Sequence, residues 1–215
     1  MNKYISIEEA INYIKSGMTI MIGGFLGNGN PHKIIDALVN TSIKNLTIIA
    51  NDSAMPEYGI GKLIVNKQVK KLITSHIGTN PVTGDMMNKG ELEIEFSPQG
   101  TLAERIRCAG AGLGGVLTKT GIGTIVAAEK QILNIDEVDY LLEKPLCADI
   151  ALLGASRGDK LGNLQYFGTS QNFNPIMATA ANIVIAEVDQ LVEVGKIEPE
   201  FVHTPAIFVD YFVCE

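Results

Sequence analysis

The chain reads as an α/β protein: an open, mostly parallel sheet with flanking helices and a small additional subsheet. Three observations predict this. Short, nearly continuous apolar runs at 18–22 and 46–50 match strands buried on both faces. Segments with apolar residues at helical spacing alternate with such runs. Glycine-dense stretches, above all 23–29, stand where a strand hands over to a helix.

The elements follow in order. Ser6 and Glu9 are spaced as a capping box, and Ile7, Ala10, Ile11 and Ile14 give the helix behind it one apolar face, with Gly17 placed to end it. After the run 18–22 and the glycine stretch, Asn30 is an expected N-cap and Pro31 an expected first helical residue; Ile34, Ile35, Leu38 and Val39 form the apolar face. Residues 46–50 and 69–74 are two more strands. The alternation Glu-Leu-Glu-Ile-Glu-Phe at 91–96 is a half-exposed one. A loop at 97–100 precedes Thr101 and Glu104, which have capping-box spacing and open a helix to about Ala109. Strands at 149–155 and 182–188 flank a helix at 175–181, and 206–213 is a last apolar segment. Region 116–147 forms the subsheet. No linker, repeat or low-complexity tract divides residues 1–215, which are expected to be a single domain.

Composition narrows the function. With 46% hydrophobic and 19% charged residues the chain has the balance of a soluble globular domain. Its net charge of −7, with no basic cluster beyond the run 67–71, argues against a nucleic-acid partner. No apolar run is long enough to span a membrane. The start, MNKYISIEEAI, is acidic and lacks a long apolar core, so it does not read as a signal peptide, and the expected location is the cytoplasm. Cys108, Cys147 and Cys214 are far apart in mostly apolar surroundings; they are expected to be buried thiols, with neither a metal site nor a disulfide framework.

The chemistry should lie beyond the carboxyl ends of the strands. Gly23, Gly24, Phe25, Leu26, Gly27, Asn28 and Gly29 follow the first strand, where backbone N–H groups and a helix N-terminus suit an anionic ligand. The spacing is G-G-x-x-G-x-G. It matches neither the dinucleotide fingerprint nor a P-loop, since His32 and Lys33 stand where a Lys-Ser/Thr pair would be needed. A ligand loop and a merely tight turn both fit. Gln99 follows another strand end, where its amide can either donate to a developing oxyanion or satisfy loop carbonyls. His76, in SHIGTN, offers a base or a structural hydrogen-bonder, and Asn51-Asp52-Ser53 can line the same crevice. His32 reads as exposed on its helix. The stretch AGAGLGG at 109–115 fits close packing or a passing ligand. No Ser or Cys nucleophile with a suitable partner is apparent.

Taken together, GGFLGNGNP (23–31), IANDSA (49–54), SHIGTNP (75–81), SPQGTLAERIRCAGAGLGG (97–115), TKTGIGT (118–124), NFNPIMATAA (172–181) and HTPAIFVD (203–210) resemble the alpha subunit of family I coenzyme A transferases. PQGTLAERIR joined to AGAG is the most specific of these. SHIGTNP with GAGLGG looks most like the bacterial acetate/acetoacetate, short-chain fatty acid branch. The resemblance implies a CoA-transferase-like fold and exchange of CoA between a short-chain acyl-CoA and a carboxylate acceptor. CoA is then a substrate, and neither a permanently bound cofactor nor a metal is implied. It also implies a glutamate nucleophile, which in this family belongs to the beta subunit in a Ser-Glu-Asn-Gly setting. This chain has fifteen glutamates and none precedes Asn-Gly; Glu57, in Met-Pro-Glu-Tyr-Gly, is the best loop candidate and does not match. The implied partner is a beta subunit, commonly in an α2β2 assembly. Residues 23–29 match the family's CoA-associated loop, and Gln99 matches its PQGT glutamine, whose amide serves the oxyanion. One rival reading shares the broad fold, a phosphate-ligand sensor or sugar-phosphate isomerase-like domain; another is a self-sufficient acyl-CoA hydrolase, for which no nucleophile is found.

Overall fold

The computed structural model describes residues 3–214 as one α/β unit; Met1, Asn2 and Glu215, the ends of the expected 1–215 domain, lie outside the described residues. The first half runs α1 (Ile7–Asn12), β1 (Thr19–Ile22), α2 (His32–Val39), β2 (Leu46–Ile49), α3 (Gly61–Val65), β3 (Val69–Thr74), α4 (Pro81–Asn88), β4 (Glu93–Phe96) and α5 (Gln99–Gly110). The second half adds β5 (Val116–Thr118), β6 (Ile132–Ile135), β7 (Val138–Glu143), β8 (Ala148–Asp159), β9 (Leu164–Gln165), α6 (Asn174–Met177), β10 (Ala181–Val192) and β11 (Tyr211–Val213).

The main sheet has the order β11-β10-β8-β1-β2-β3-β4, parallel at every one of these pairings, with β9 antiparallel on β8. From β1 the chain steps outward to β4, then returns to the other side of β1 with β8, so the strand order reverses between β1 and β8. Alternation along the strands builds two cores. Ile20 and Ile22 of β1 face one way, with Ile34, Ile35 and Leu38 of α2 and Leu63 of α3. Met21 faces the other way, with Leu102 and Ile106 of α5 and Met177 of α6. Side chains of this kind contribute roughly 1.5–3 kcal/mol each when fully buried, which is why the apolar runs read as two-sided strands.

The small sheet, β5-β7-β6, is antiparallel and falls inside the region expected for it. It is tied to the main body by Arg105, only 6% exposed on α5. Arg105 Nη1 pairs with Glu95 of β4 at 2.9 Å, Nε donates to the Lys144 carbonyl at 2.9 Å, and Nε lies 3.7 Å from the buried Glu143 of β7.

Several boundaries differ from the sequence expectation. The Ser6–Glu9 box forms as read: Glu9 N–H donates to Ser6 Oγ at 3.1 Å and Ser6 N–H to Glu9 Oε2 at 2.8 Å. The second box does not form. α5 begins three residues earlier, at Gln99, with Pro98 as N-cap; Thr101 is buried inside the helix and Glu104 pairs with Arg107. α2 begins at His32 with Pro31 as N-cap, and the Asn30 side chain donates back to the Gly23 carbonyl instead of capping forward. The helix expected at 175–181 is the single turn α6, because β10 starts at Ala181 and β8 and β10 each extend to twelve residues. Of the cysteines, Cys108 is buried, Cys147 is exposed and Cys214 is half-buried. His32 is half-buried, its ring 4.5 Å from that of Tyr58. No helix among the described residues is long and apolar enough to cross a membrane.

Candidate active site

Asn51 stands just past β2, His76 just past β3 and Gln99 just past β4, all at the carboxyl edge of the sheet. Gln99 is exposed, and its Nε2 donates to Asn51 Oδ1 at 2.6 Å. Asn51 is buried; its Nδ2 donates to Asp52 Oδ2 at 2.7 Å. The backbone carbonyl of Asn51 is fixed as well, accepting from Ser75 N–H at 3.0 Å, Ser75 Oγ at 2.6 Å and Thr74 Oγ1 at 3.0 Å. An amide anchored on one side and open on the other can present its remaining N–H to an anionic oxygen.

Asp52 joins this pair to the glycine loop. It is 5% exposed; Oδ2 also accepts Leu26 N–H at 2.9 Å, and Oδ1 accepts Ala54 N–H at 2.7 Å. His76 lies on the neighbouring strand extension, bridged through its backbone to Asp52, with its carbonyl accepting Ser53 N–H at 3.2 Å. Its side chain is exposed, and the ring folds close over Gly78. Thus Gln99 and Asn51 touch directly, Leu26 is linked to them through Asp52, and His76 joins by backbone.

The glycine loop is held by the protein's own side chains. Asn172 Oδ1 accepts Gly24 N–H at 3.0 Å, while Asn172 Nδ2 donates to the Asn28 carbonyl at 3.0 Å. Asn174, fully buried, donates to the carbonyls of Gly29 at 3.0 Å and Ser170 at 2.8 Å, and accepts Gly154 N–H of β8 at 3.2 Å. These contacts lie between β1 and β8 where the strand order reverses, the usual ligand crevice of such sheets, and leave a cavity of about 110 Å³ beside Gly29, Asn30 and Gly154. A Cβ on Gly23 would overlap Asn174, one on Gly24 would overlap Asn30, and one on Gly27 would overlap the Tyr58 ring. Gly27 also has φ +87°, where a side chain is disfavoured.

The loop amides are largely spent. Gly23 donates to Leu152, Gly24 to Asn172, Phe25 to Asn28, Leu26 to Asp52, Asn28 to Phe25 and Asn30 to Gly27. The N-terminus of α2 is occupied too: Glu187 of β10 accepts Lys33 N–H at 3.1 Å and Ile34 N–H at 2.9 Å. Burial raises the pKa of Glu187 above the ordinary carboxylate value, against the opposing pull of those two N–H groups. The carboxylate takes the place an anion would need at this helix end.

The loop turns both Phe25 and the polar Asn28 outward. The turns 25–28 and 55–58 pack on each other through Gly27 and Tyr58, and they expose Phe25 and Met55. A cavity of about 620 Å³ lies elsewhere, between β4, α5 and the small sheet. Its charges pair with one another: Lys71 with Glu93 and Glu95, Lys130 with Glu143, and Arg105 with Glu95.

Asp52 is legible in the sequence only as a crevice-lining candidate beside Asn51, and Asn172, Asn174 and Glu187 are not singled out there as members of the site. Asn172 and Asn174 lie in the NFNP stretch and Asp52 beside Asn51. Two asparagines flanking one aromatic residue, and a carboxylate at a buried strand end, were the available signals.

A family model described as coenzyme A transferase matches residues 4–215. The chain is 56% identical over 214 residues to the acetoacetyl-CoA:acetate/butyrate CoA transferase alpha subunit of Clostridium acetobutylicum, covering 100% of this chain and 98% of that protein. It is 50% identical over 211 residues to the acetate CoA-transferase subunit alpha of Escherichia coli, covering 98% and 96%. In fold it superposes on an acyl-CoA transferase of E. coli O157:H7, in a thioester complex with CoA, with a TM-score of 0.87 at 24% identity; it covers 100% of this chain and 47% of that one. Glutaconate coenzyme A-transferase of Acidaminococcus fermentans gives a TM-score of 0.85 at 18% identity, covering 99% and 75%. Matching along nearly its whole length, and at half or more identity to two alpha subunits, this chain belongs to the coenzyme A transferase family.

Proposed function

We propose that this chain is the alpha subunit of a heteromeric CoA-transferase. It moves CoA between a short-chain acyl-CoA (acetyl-, butyryl- or acetoacetyl-CoA) and a carboxylic acid acceptor in the cytoplasm. A beta subunit supplies the nucleophilic glutamate, in an α2β2 assembly. The names of its alpha-subunit relatives support the reaction class. The observation that carries the reading is the exposed Gln99 amide, anchored on Asn51 at a strand end. Asp52, the carboxylate connected to this pair, is buried and holds three donors.

In this scheme the partner's glutamate attacks the thioester carbonyl. The tetrahedral oxyanion collapses to a mixed anhydride and CoA thiolate. The thiolate attacks the glutamyl carbonyl, releasing the first acid and leaving a glutamyl-CoA thioester. The acceptor carboxylate then runs the sequence in reverse. A carboxylate nucleophile divides one difficult exchange into acyl transfers of matched difficulty. Each transfer develops negative charge on an oxygen that needs donors, and Gln99 Nε2–H is this chain's donor. Phe25 and Met55 form an apolar shoulder for the acyl-CoA. The loop 23–29 then serves CoA through its shape more than through its amides, most of which are already engaged. That pattern and Glu187 at the α2 terminus weigh against a phosphate sensor.

The test is Gln99→Ala in the assembled pair. Loss of one oxyanion donor lowers kcat by on the order of 10²–10³. A wild-type kcat in a correctly assembled variant rejects the assignment.

A further inference from the structure

We infer that Asp52 is a positioning residue that fixes the orientation of the Gln99 amide through Asn51. The inference rests on the reading of Gln99 as the oxyanion donor. Side-chain amides have two faces of opposite polarity, and a half-turn exchanges donor for acceptor. Gln99 is exposed and sits at the first residue of its helix, so packing does not choose its face. The hydrogen-bond chain does. A carboxylate only accepts. Asp52 Oδ2 therefore draws the Asn51 NH2 toward itself, at 2.7 Å. That turns Asn51 Oδ1 outward, where it accepts from Gln99 Nε2 at 2.6 Å. Gln99 is left with its second N–H free to face the crevice. Reversing the chain would set Asn51 Oδ1 against the carboxylate and present the Gln99 oxygen to an oxyanion, a repulsive arrangement.

A second feature points to the same residue. Leu26 and Ala54 both adopt left-handed backbone, with φ +50° and +51°, although neither is glycine. Conformations of this kind persist where surrounding structure enforces them, and they concentrate at functional sites. Both residues donate their N–H to Asp52: Leu26 to Oδ2 at 2.9 Å and Ala54 to Oδ1 at 2.7 Å. The carboxylate is thus gripped from two loops, which leaves Oδ2 aimed at Asn51. The glycine loop and the catalytic amide are registered on one buried anion.

The experiment is a double-mutant cycle in the alpha–beta complex, assayed with butyryl-CoA and acetate. Asp52→Asn is isosteric and replaces one acceptor oxygen by an NH2, so this position no longer enforces one polarity on the chain, and the N–H of either Leu26 or Ala54 loses its partner. It lowers kcat about tenfold, the scale of one net hydrogen bond, with KM for butyryl-CoA changed less than about threefold. In the Gln99→Ala background the same substitution has almost no further effect, because residues acting through one group are non-additive. If Asp52→Asn lowers kcat equally in both backgrounds, Asp52 acts on the structure at large and this inference falls while the role of Gln99 stands. If Gln99→Ala itself turns over like wild type, the functional reading falls and takes this inference with it. Should Asp52→Asn fail to assemble, Asn51→Leu cuts the same chain while sparing the two backbone bonds of Asp52. An additive loss there overturns the inference equally.

Discussion

Replacing Gly23 by alanine adds one methyl group at a position whose backbone is open to any residue. The added Cβ meets Asn174 Oδ1 and Cγ well inside contact distance, so Asn174 must move. It is fully buried and makes three hydrogen bonds, to Gly154 N–H and to the carbonyls of Gly29 and Ser170. Each is worth about 0.5–1.5 kcal/mol net, so the substitution costs roughly 2–4 kcal/mol. In a chain of this size that lowers Tm by roughly 5–15 °C. Asn174→Ala loses the same bonds and costs a similar amount. The double variant is the informative one. With the Asn174 side chain removed, the alanine at 23 has room, and the pair loses about what Asn174→Ala loses alone. The assay is urea unfolding of the purified chain and its variants. A neutral Gly23→Ala, or a double variant that loses the sum of the singles, would refute the claim that Gly23 is glycine because Asn174 occupies its Cβ space.

Two further predictions concern the joint between the sheets. Burial works against the Glu95 carboxylate, but hydrogen bonds from Lys71 and Arg105 outweigh it and hold its pKa below the ordinary glutamate value. A depressed carboxylate contributes stability above its unfolded pKa of about 4.3 and loses it as pH falls through the folded value. Wild type should therefore exceed Glu95→Gln by roughly 1 kcal/mol at pH 7, with the gap closing below pH ~4; a gap independent of pH contradicts the assignment. Arg105→Met should cost roughly 3 kcal/mol, the low end for breaking a buried pair, since Glu143 keeps Lys130. Hydrogen exchange should then quicken across β5, β6 and β7 and hold steady in β1 and β8. Uniform acceleration would contradict a local joint.

Much of the architecture was legible because it is written in short-range patterns. β1 and β2 are apolar on both faces, so they appear as unbroken runs, and the Ser6–Glu9 box sits within one turn. The helix start at α2 is misplaced in the sequence reading because what closes it is not local. Glu187 reaches the N-terminus of α2 from more than 150 residues away, and no pattern near His32 announces it. Asn172 and Asn174 likewise meet the glycine loop across more than 140 residues. The candidate residues are legible as polar groups at strand ends, and their hydrogen-bond wiring is less so. Gln99 and Asn51 both stand at strand ends, which topology brings together. Asp52, the hub between them and Leu26, looked like one polar residue among several. The glycines of 23–29 were correctly marked as places of close approach, and the structure shows that buried asparagine side chains and the Tyr58 ring come close.

The central claim is that this chain holds and polarises the substrate while a partner supplies the nucleophile. Intact-mass measurement of both chains after incubating the assembled enzyme with butyryl-CoA tests it most directly. The account predicts that the beta chain gains the mass of CoA less one water, and that this chain is unchanged. A CoA adduct on this chain, or turnover of acyl-CoA and acceptor by the purified chain alone, would contradict it.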